Sequence, residues 1–284
     1  MDQGSNPGAP APRVETRVVQ HRHVALAVLA EAVMVHRSFK NWLPVYWLLL
    51  VRRVRNQPPA LRLRSRQGPI LETLAGDRSW RTCVEVSGRD RYRLATLRLP
   101  VAATVADIGA NLGALALAVR TARPKAQLFS FEPSLTAGGM LAPNVGRGKP
   151  LGSRTTQRPV AVTGSGAGDL RTSSIQSGTR GEPVVRETEV PDCSLVAVLR
   201  SCPDGVYLIK IGAEGATDDM ICPTPPAMLR VARQWVMEYH PVAGHSFEEL
   251  ARQLQLTGFS CSRPEPRAVP GQGLARRELR EGAV

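Results

Sequence analysis

Apolar and polar positions change rhythm several times along the 284-residue chain, and each change marks an expected element. Residues 1–20 show little periodicity among Gly, Pro and Ala, which predicts a disordered arm. Two apolar runs follow, 24–35 and 42–51, split by the polar group 36–41. They suit a helical pair in an N-terminal extension over 21–57, and each falls short of the roughly 20 residues a spanning helix needs. Between 58 and 100 apolar and charged residues alternate, most plainly at Leu61-Arg62-Leu63-Arg64 and at 91–99. Such alternation predicts half-exposed strands leading into a main sheet.

From Thr104 the rhythm is strand, helix, strand. Residues 104–108 suit a buried strand, Gly109 to Gly113 a tight turn and 114–121 an Ala- and Leu-rich helix, after which a second strand closes on Glu132. A helix weakened by Gly138 and Gly139 is expected at 134–141 and a short strand at 159–162. The polar stretch 163–189 reads as a long loop or a pair of weak edge strands. A helix at 195–200, a strand at 206–211, a helical stretch near 228–232 and a strand at 234–240 follow. Ser246 caps a helix at 247–256, Gly258 ends it, and 259–262 forms a last strand. The alternation predicts an α/β fold with a mostly parallel sheet covered on both faces. One domain is expected over 58–263, with a disordered tail over 264–284.

Composition changes this picture little. Hydrophobic content of 43% is ordinary and aromatic content of 5% is low, so the core is built mostly from Ala, Val and Leu. The net charge of +13 and a pI near 10.5 suit an anionic partner. The arginines lack aromatic interleaving, however, so nucleic acid is not the expected partner. Trp42, Tyr46 and Trp47 precede Arg52, Arg53 and Arg55, which allows peripheral contact with an anionic membrane through residues 24–55. The preferred alternative is a helical pair packed on the domain. Five scattered cysteines and His21, His23 and His36 have no metal-ligand spacing, so no metal site or disulfide framework is indicated and a cytoplasmic setting is expected.

Ligands of open α/β sheets bind outside the carboxyl ends of the strands. Residues 107–113, Glu132, 210–215, Glu238 and His240 all fall there. A dinucleotide fingerprint requires glycines where Asn111 and Ala114 stand. Asp-x-Gly-x-x-x-Gly, with Glu132 placed to bond two ribose hydroxyls, instead suits S-adenosylmethionine, whose adenosine carries no pyrophosphate. A methyl acceptor with a hydroxyl needs a base. His240 is the first candidate and Glu214 the second; Glu238, two residues before His240 on a strand, shares its face. Lys210 is expected to pair with Glu214 or Glu238.

The runs Asp107-Ile108-Gly109-Ala110-Asn111-Leu112-Gly113, Phe131-Glu132-Pro133, Asn144-Val145, Leu208-Ile209-Lys210-Ile211-x-x-Glu214-Gly215-Ala216 and Glu238-Tyr239-His240 resemble, in order and spacing, the FkbM-type S-adenosylmethionine-dependent methyltransferases. The resemblance covers roughly residues 60–262. It implies a class I methyltransferase (Rossmann-like) fold and methyl transfer to a hydroxyl on a small-molecule acceptor, a sugar or polyketide-like natural product. It also implies cofactor contacts from Asp107, Gly109, Asn111, Gly113 and Glu132. Where the family reads Lys-x-Asp-x-Glu-Gly-x-Glu, this chain has Gly212 for the Asp and Thr217 for the last Glu. Those departures open two alternatives, a binding protein that kept the fold without catalysis and a basic module for membrane or nucleic acid.

Overall fold

The computed structural model describes residues 29–30, 32–47, 60–66, 70–74, 79–88, 90, 92–146, 154–164, 171–177, 186–202, 205–212, 216–239, 246–262 and 272–276. Two short helices, α1 (32–38) and α2 (42–47), precede the hairpin β1 (Arg62–Arg64) and β2 (Ile70–Glu72) and helix α3 (Ser79–Gly88). The central run is β3 (Thr104–Ile108), α4 (Ala114–Ala122), β4 (Gln127–Phe131), α5 (Leu135–Gly146) and β5 (Arg154–Arg158). Then come β6 (Ala161–Thr163), β7 (Arg171–Ser177), β8 (Arg186–Ser194), α6 (Leu195–Arg200), β9 (Val206–Ile211), α7 (Thr217–Ile221) and α8 (Pro226–Leu229). Strand β10 (Ala232–Glu238), α9 (Phe247–Leu256), β11 (Ser260–Ser262) and β12 (Gln272–Arg276) close the order.

Seven strands form the main sheet in the order β11-β12-β10-β9-β3-β4-β5. Strands β5, β4, β3, β9 and β10 pair in parallel, and β12 runs antiparallel to both of its neighbours. Side chains alternate across the pleat, and the two faces bury different sets. Val105, Leu128, Leu208 and Val236 join α3, α4, α5 and the N-terminal elements in one core. Ala106, Ile108, Ile209, Ile211, Trp235 and Met237 join α6 to α9 in the other. Burial on both faces explains why these strands read as near-continuous apolar runs.

The N-terminal helices are fastened to the domain by backbone and side-chain bonds. Phe39 bridges to Ser65, the Lys40 N–H donates to the Arg64 carbonyl at 2.7 Å, and the Arg66 N–H donates to the Ser38 carbonyl at 2.9 Å. The Asn41 amide both donates to the Arg62 carbonyl and accepts from the Arg64 N–H. Val35, Phe39 and Val45 are buried in the first core. No helix among the described residues is long and apolar enough to cross a membrane.

Several expectations are corrected. Residues 91–99 were expected as a strand, but the described ones form turns, because the Asp90 carboxylate accepts the Leu94 and Ala95 N–H groups at 2.6 and 2.9 Å. Such local side-chain bonds compete with a strand ladder. Helix α3 lies just before them, in a stretch whose β-branched and polar residues concealed its buried stripe Cys83, Val84 and Val86. Polar β5 completes the parallel edge, a role alternation could not signal. Within the tail expected to be disordered, Gln272–Arg276 is a strand, held because it pairs with β10 and β11 at once.

Candidate functional site

The alternation that sorts the two cores also gathers the polar groups. Asp107 follows Val105 at the same parity, Lys210 follows Leu208 and Glu238 follows Val236, so all three project on the α3–α4 side near the carboxyl ends of their strands. Register places Asp107 directly opposite Lys210. The Lys210 ammonium lies 3.1 Å from Asp107 Oδ1 and donates to the carbonyls of Gly109 at 2.6 Å and Ile108 at 3.2 Å. Three acceptors match its three N–H donors. The partner is therefore Asp107, which corrects the expected pairing with Glu214 or Glu238. Burial raises the Asp107 pKa above the carboxylate norm, and the Lys210 charge and hydrogen bond pull it back.

Gly212 makes this arrangement possible. A Cβ there would stand 2.5 Å from Lys210 Nζ and 2.6 Å from its Cε. The residue that departs from the family pattern thus supplies the space into which the lysine folds. Tyr92, in the segment expected as a strand, closes the far side: its ring lies 5.8 Å from the ammonium, and its hydroxyl donates to Glu238 Oε1 at 2.7 Å.

The glycine loop turns through three left-handed residues, Gly109, Asn111 and Gly113, at φ of 70°, 51° and 86°. At Gly113 a side chain is doubly excluded, by that φ and by Leu141 Cδ1 and Val145 Cγ2, 2.7 and 2.9 Å from a hypothetical Cβ. Glu132 grips the loop, its Oε2 accepting the Asn111 N–H at 2.7 Å while Oε1 accepts the Ser134 N–H at 2.9 Å. Burial raises its pKa, and these two bonds and Lys210 oppose the rise. Asn144 braces the loop from below. Its Nδ2 donates to the Glu72 and Leu112 carbonyls, and its Oδ1 accepts the Glu72 N–H.

Asp107 Oδ2 and Asn111 Oδ1 at the glycine loop are among the buried polar atoms without a hydrogen-bond partner in the described residues, as is Ser130 Oγ, opposite Asp107 on β4. Buried polar atoms are normally satisfied, so the pair at the loop suits a cationic or N–H-bearing ligand. The adjoining cleft, lined by Thr82, Tyr92, Gly109, Asn111 and Lys210 among others, has a volume of about 20 Å³. Small-molecule sites run to roughly 300–1,000 Å³, larger than this cleft.

The sequence-expected residues are thus partly united. Asp107, Gly109, Asn111, Gly113 and Glu132 form one loop-and-strand cluster, and Glu238 reaches it through Tyr92 and the buried charge pair. Glu214 and His240 lie outside the described residues. Tyr92 carried no motif by which sequence could single it out; the Asn144-Val145 pair did, but its bracing role needed the fold.

The sheet order, with the reversed strand β12 inserted between β10 and β11, defines a class I methyltransferase (Rossmann-like) fold. Solved structures with a weaker overall likeness include magnesium protoporphyrin IX methyltransferase from Synechocystis PCC 6803 with bound SAM, at 15% identity over 69% of this chain and 80% of that one, with a TM-score of 0.40. Precorrin-6y C5,15-methyltransferase from Geobacter metallireducens GS-15 is 13% identical over 66% and 86%, with a TM-score of 0.39. M. jannaschii TYW2 in complex with AdoMet is 12% identical over 78% and 87%, with a TM-score of 0.40. No family model matches the chain, and no curated protein does.

Proposed function

We propose that the chain is an S-adenosylmethionine-dependent methyltransferase of FkbM type, acting on a hydroxyl of a small-molecule sugar or natural-product acceptor. The observation that carries the reading is the pair of buried acceptors without donors, Asp107 Oδ2 and Asn111 Oδ1, beside the glycine loop at the carboxyl end of β3. A positively charged amino-acid end fits that pair, and Glu132, at the end of the neighbouring strand, stands where a ribose would need an acceptor. When bound, the cofactor supplies an electrophilic methyl group on a cationic sulfur. The chain's own work is to align the acceptor oxygen, exclude water and take up its proton. His240 is the proposed base, with Glu214 and Glu238 as the other candidates; Glu238 Oε1 accepts the Tyr92 hydroxyl.

Isothermal titration with S-adenosylmethionine and S-adenosylhomocysteine tests the reading. We expect saturable heat that Asn111→Ala weakens by about tenfold, the loss of one good polar contact. No detectable heat at millimolar ligand overturns it.

A second reading, a binding protein without turnover, is favoured by Lys210 folding into the space above Gly212 and pairing with Asp107 Oδ1 within the chain. It prevails if the cofactor binds, no acceptor in a broad hydroxylated panel is methylated, and Gly212→Asp creates turnover.

A further inference from the structure

The N-terminal helices bury one side against the domain and leave apolar side chains uncovered on the other. Val35, Phe39 and Val45 lie in the first core, while Leu29, Val33, Leu43 and Trp47 are exposed, Leu43 and Trp47 by 62% and 63%. The other exposed large hydrophobics among the described residues, Val101, Leu135 and Leu256, come from three separate parts of the chain, as single exposed apolar residues ordinarily do. Those on the helices instead form two pairs, Leu29 with Val33 and Leu43 with Trp47. Each pair has the i, i+4 spacing of neighbours on a helix surface.

Basic side chains adjoin this apolar face. The elbow between α1 and α2 is bonded to β1, which brings Lys40 beside Arg64 and sets Arg66 against the end of α1, where its guanidinium donates to the His36 carbonyl at 2.9 Å. Arg37, Lys40, Arg62, Arg64 and Arg66 are all exposed. Glu72 lies 3.5 Å from Arg62. Over residues 21–66 nine Lys and Arg stand against one acid, Glu31, so this stretch carries +8 of the chain's +13.

We propose that this surface docks on an anionic phospholipid bilayer, with Leu43 and Trp47 entering the interface and the five bases facing the head groups. Interfacial binding of this kind combines buried apolar area with attraction to anionic lipid. Nucleic acid would satisfy the charge, but Leu29, Val33 and Leu43 offer no ring on which a base could stack. Docking does not depend on whether the glycine-loop cleft takes a cofactor.

Co-sedimentation of the full chain with phosphatidylcholine vesicles, with and without phosphatidylserine, provides the test. Binding is expected only where phosphatidylserine is present, and high salt should weaken it by about tenfold or more through screening. Leu43→Ser combined with Trp47→Ser should weaken it by about tenfold, with circular dichroism unchanged because both positions are exposed. Lys40→Glu combined with Arg64→Glu should weaken it as much while leaving the apolar pairs intact. If the serine variant does not fold, brominated phospholipid must quench the tryptophan emission of the unaltered chain. No binding, equal binding to phosphatidylcholine alone, binding indifferent to either double substitution, or unquenched emission overturns the proposal. Tighter binding of a single-stranded oligonucleotide than of the anionic vesicles also overturns it and makes the surface a nucleic-acid site.

Discussion

Lys210 is held in place by acceptors, and its position depends on Gly212, the residue just past the end of β9. Gly212→Ala brings a methyl group within 2.5 Å of the ammonium. Because the obstructed atoms end a flexible side chain, the lysine swings aside instead of moving the backbone, losing hydrogen bonds to the Gly109 and Ile108 carbonyls. The expected cost is about 1–3 kcal/mol, the range for bonds to charged groups, read as a drop in urea midpoint; an unchanged midpoint would show that the lysine finds equal partners elsewhere. Glu132 gives a pH-dependent prediction. Its native pKa is raised above 4.5 chiefly by burial, so the native state keeps a proton that the unfolded chain has released. Its contribution to stability is therefore fully present below the unfolded value and declines as pH rises through the native one. Wild type should lose stability relative to Glu132→Gln as pH is raised from about 4 to 7, and parallel urea-midpoint curves would contradict this.

At the scale of elements, the glycine loop is stabilised from two sides, and the two supports differ in kind. Asn144 serves three backbone groups of β2 and the loop. Asn144→Ala leaves the Leu112 carbonyl buried without that partner and frees the part-buried Glu72 groups, a loss of about 1–3 kcal/mol. Gly113→Ala instead forces a left-handed φ on a residue with a Cβ and drives that atom into Leu141 and Val145 of α5. Strain and overpacking together predict about 2–5 kcal/mol. Thermal melts of both variants check these figures, and a Gly113→Ala melt within a degree of wild type would mean that α5 shifts freely. The loop was legible in the sequence because left-handed turns restrict residue choice to Gly and Asn, leaving a visible trace. Helix α3 and the turns after it were not, since Asp90 capping the Leu94 and Ala95 amides is a choice between two locally plausible structures.

For the whole molecule, the strand order makes a prediction about the chain's end. Strand β12 is the sole main-sheet partner of β11 among the described residues and covers the outer edge of β10. Removing residues 264–284 should uncover that edge, and an open strand edge invites association with other chains. We expect the truncated protein to elute as soluble aggregates on size exclusion and to melt at lower temperature; a monomer with unchanged melting would assign β12 a dispensable role. Sequence alone determined the parallel core, since strands buried on both faces must be apolar throughout, and it determined the glycine loop with Glu132, since few residues tolerate that geometry. Only the tertiary structure decided that Lys210 pairs with Asp107, that Tyr92 closes the cleft over them, and that a polar tail strand completes the sheet. Each of these contacts joins residues far apart in the chain through register and available space, which local residue patterns do not encode.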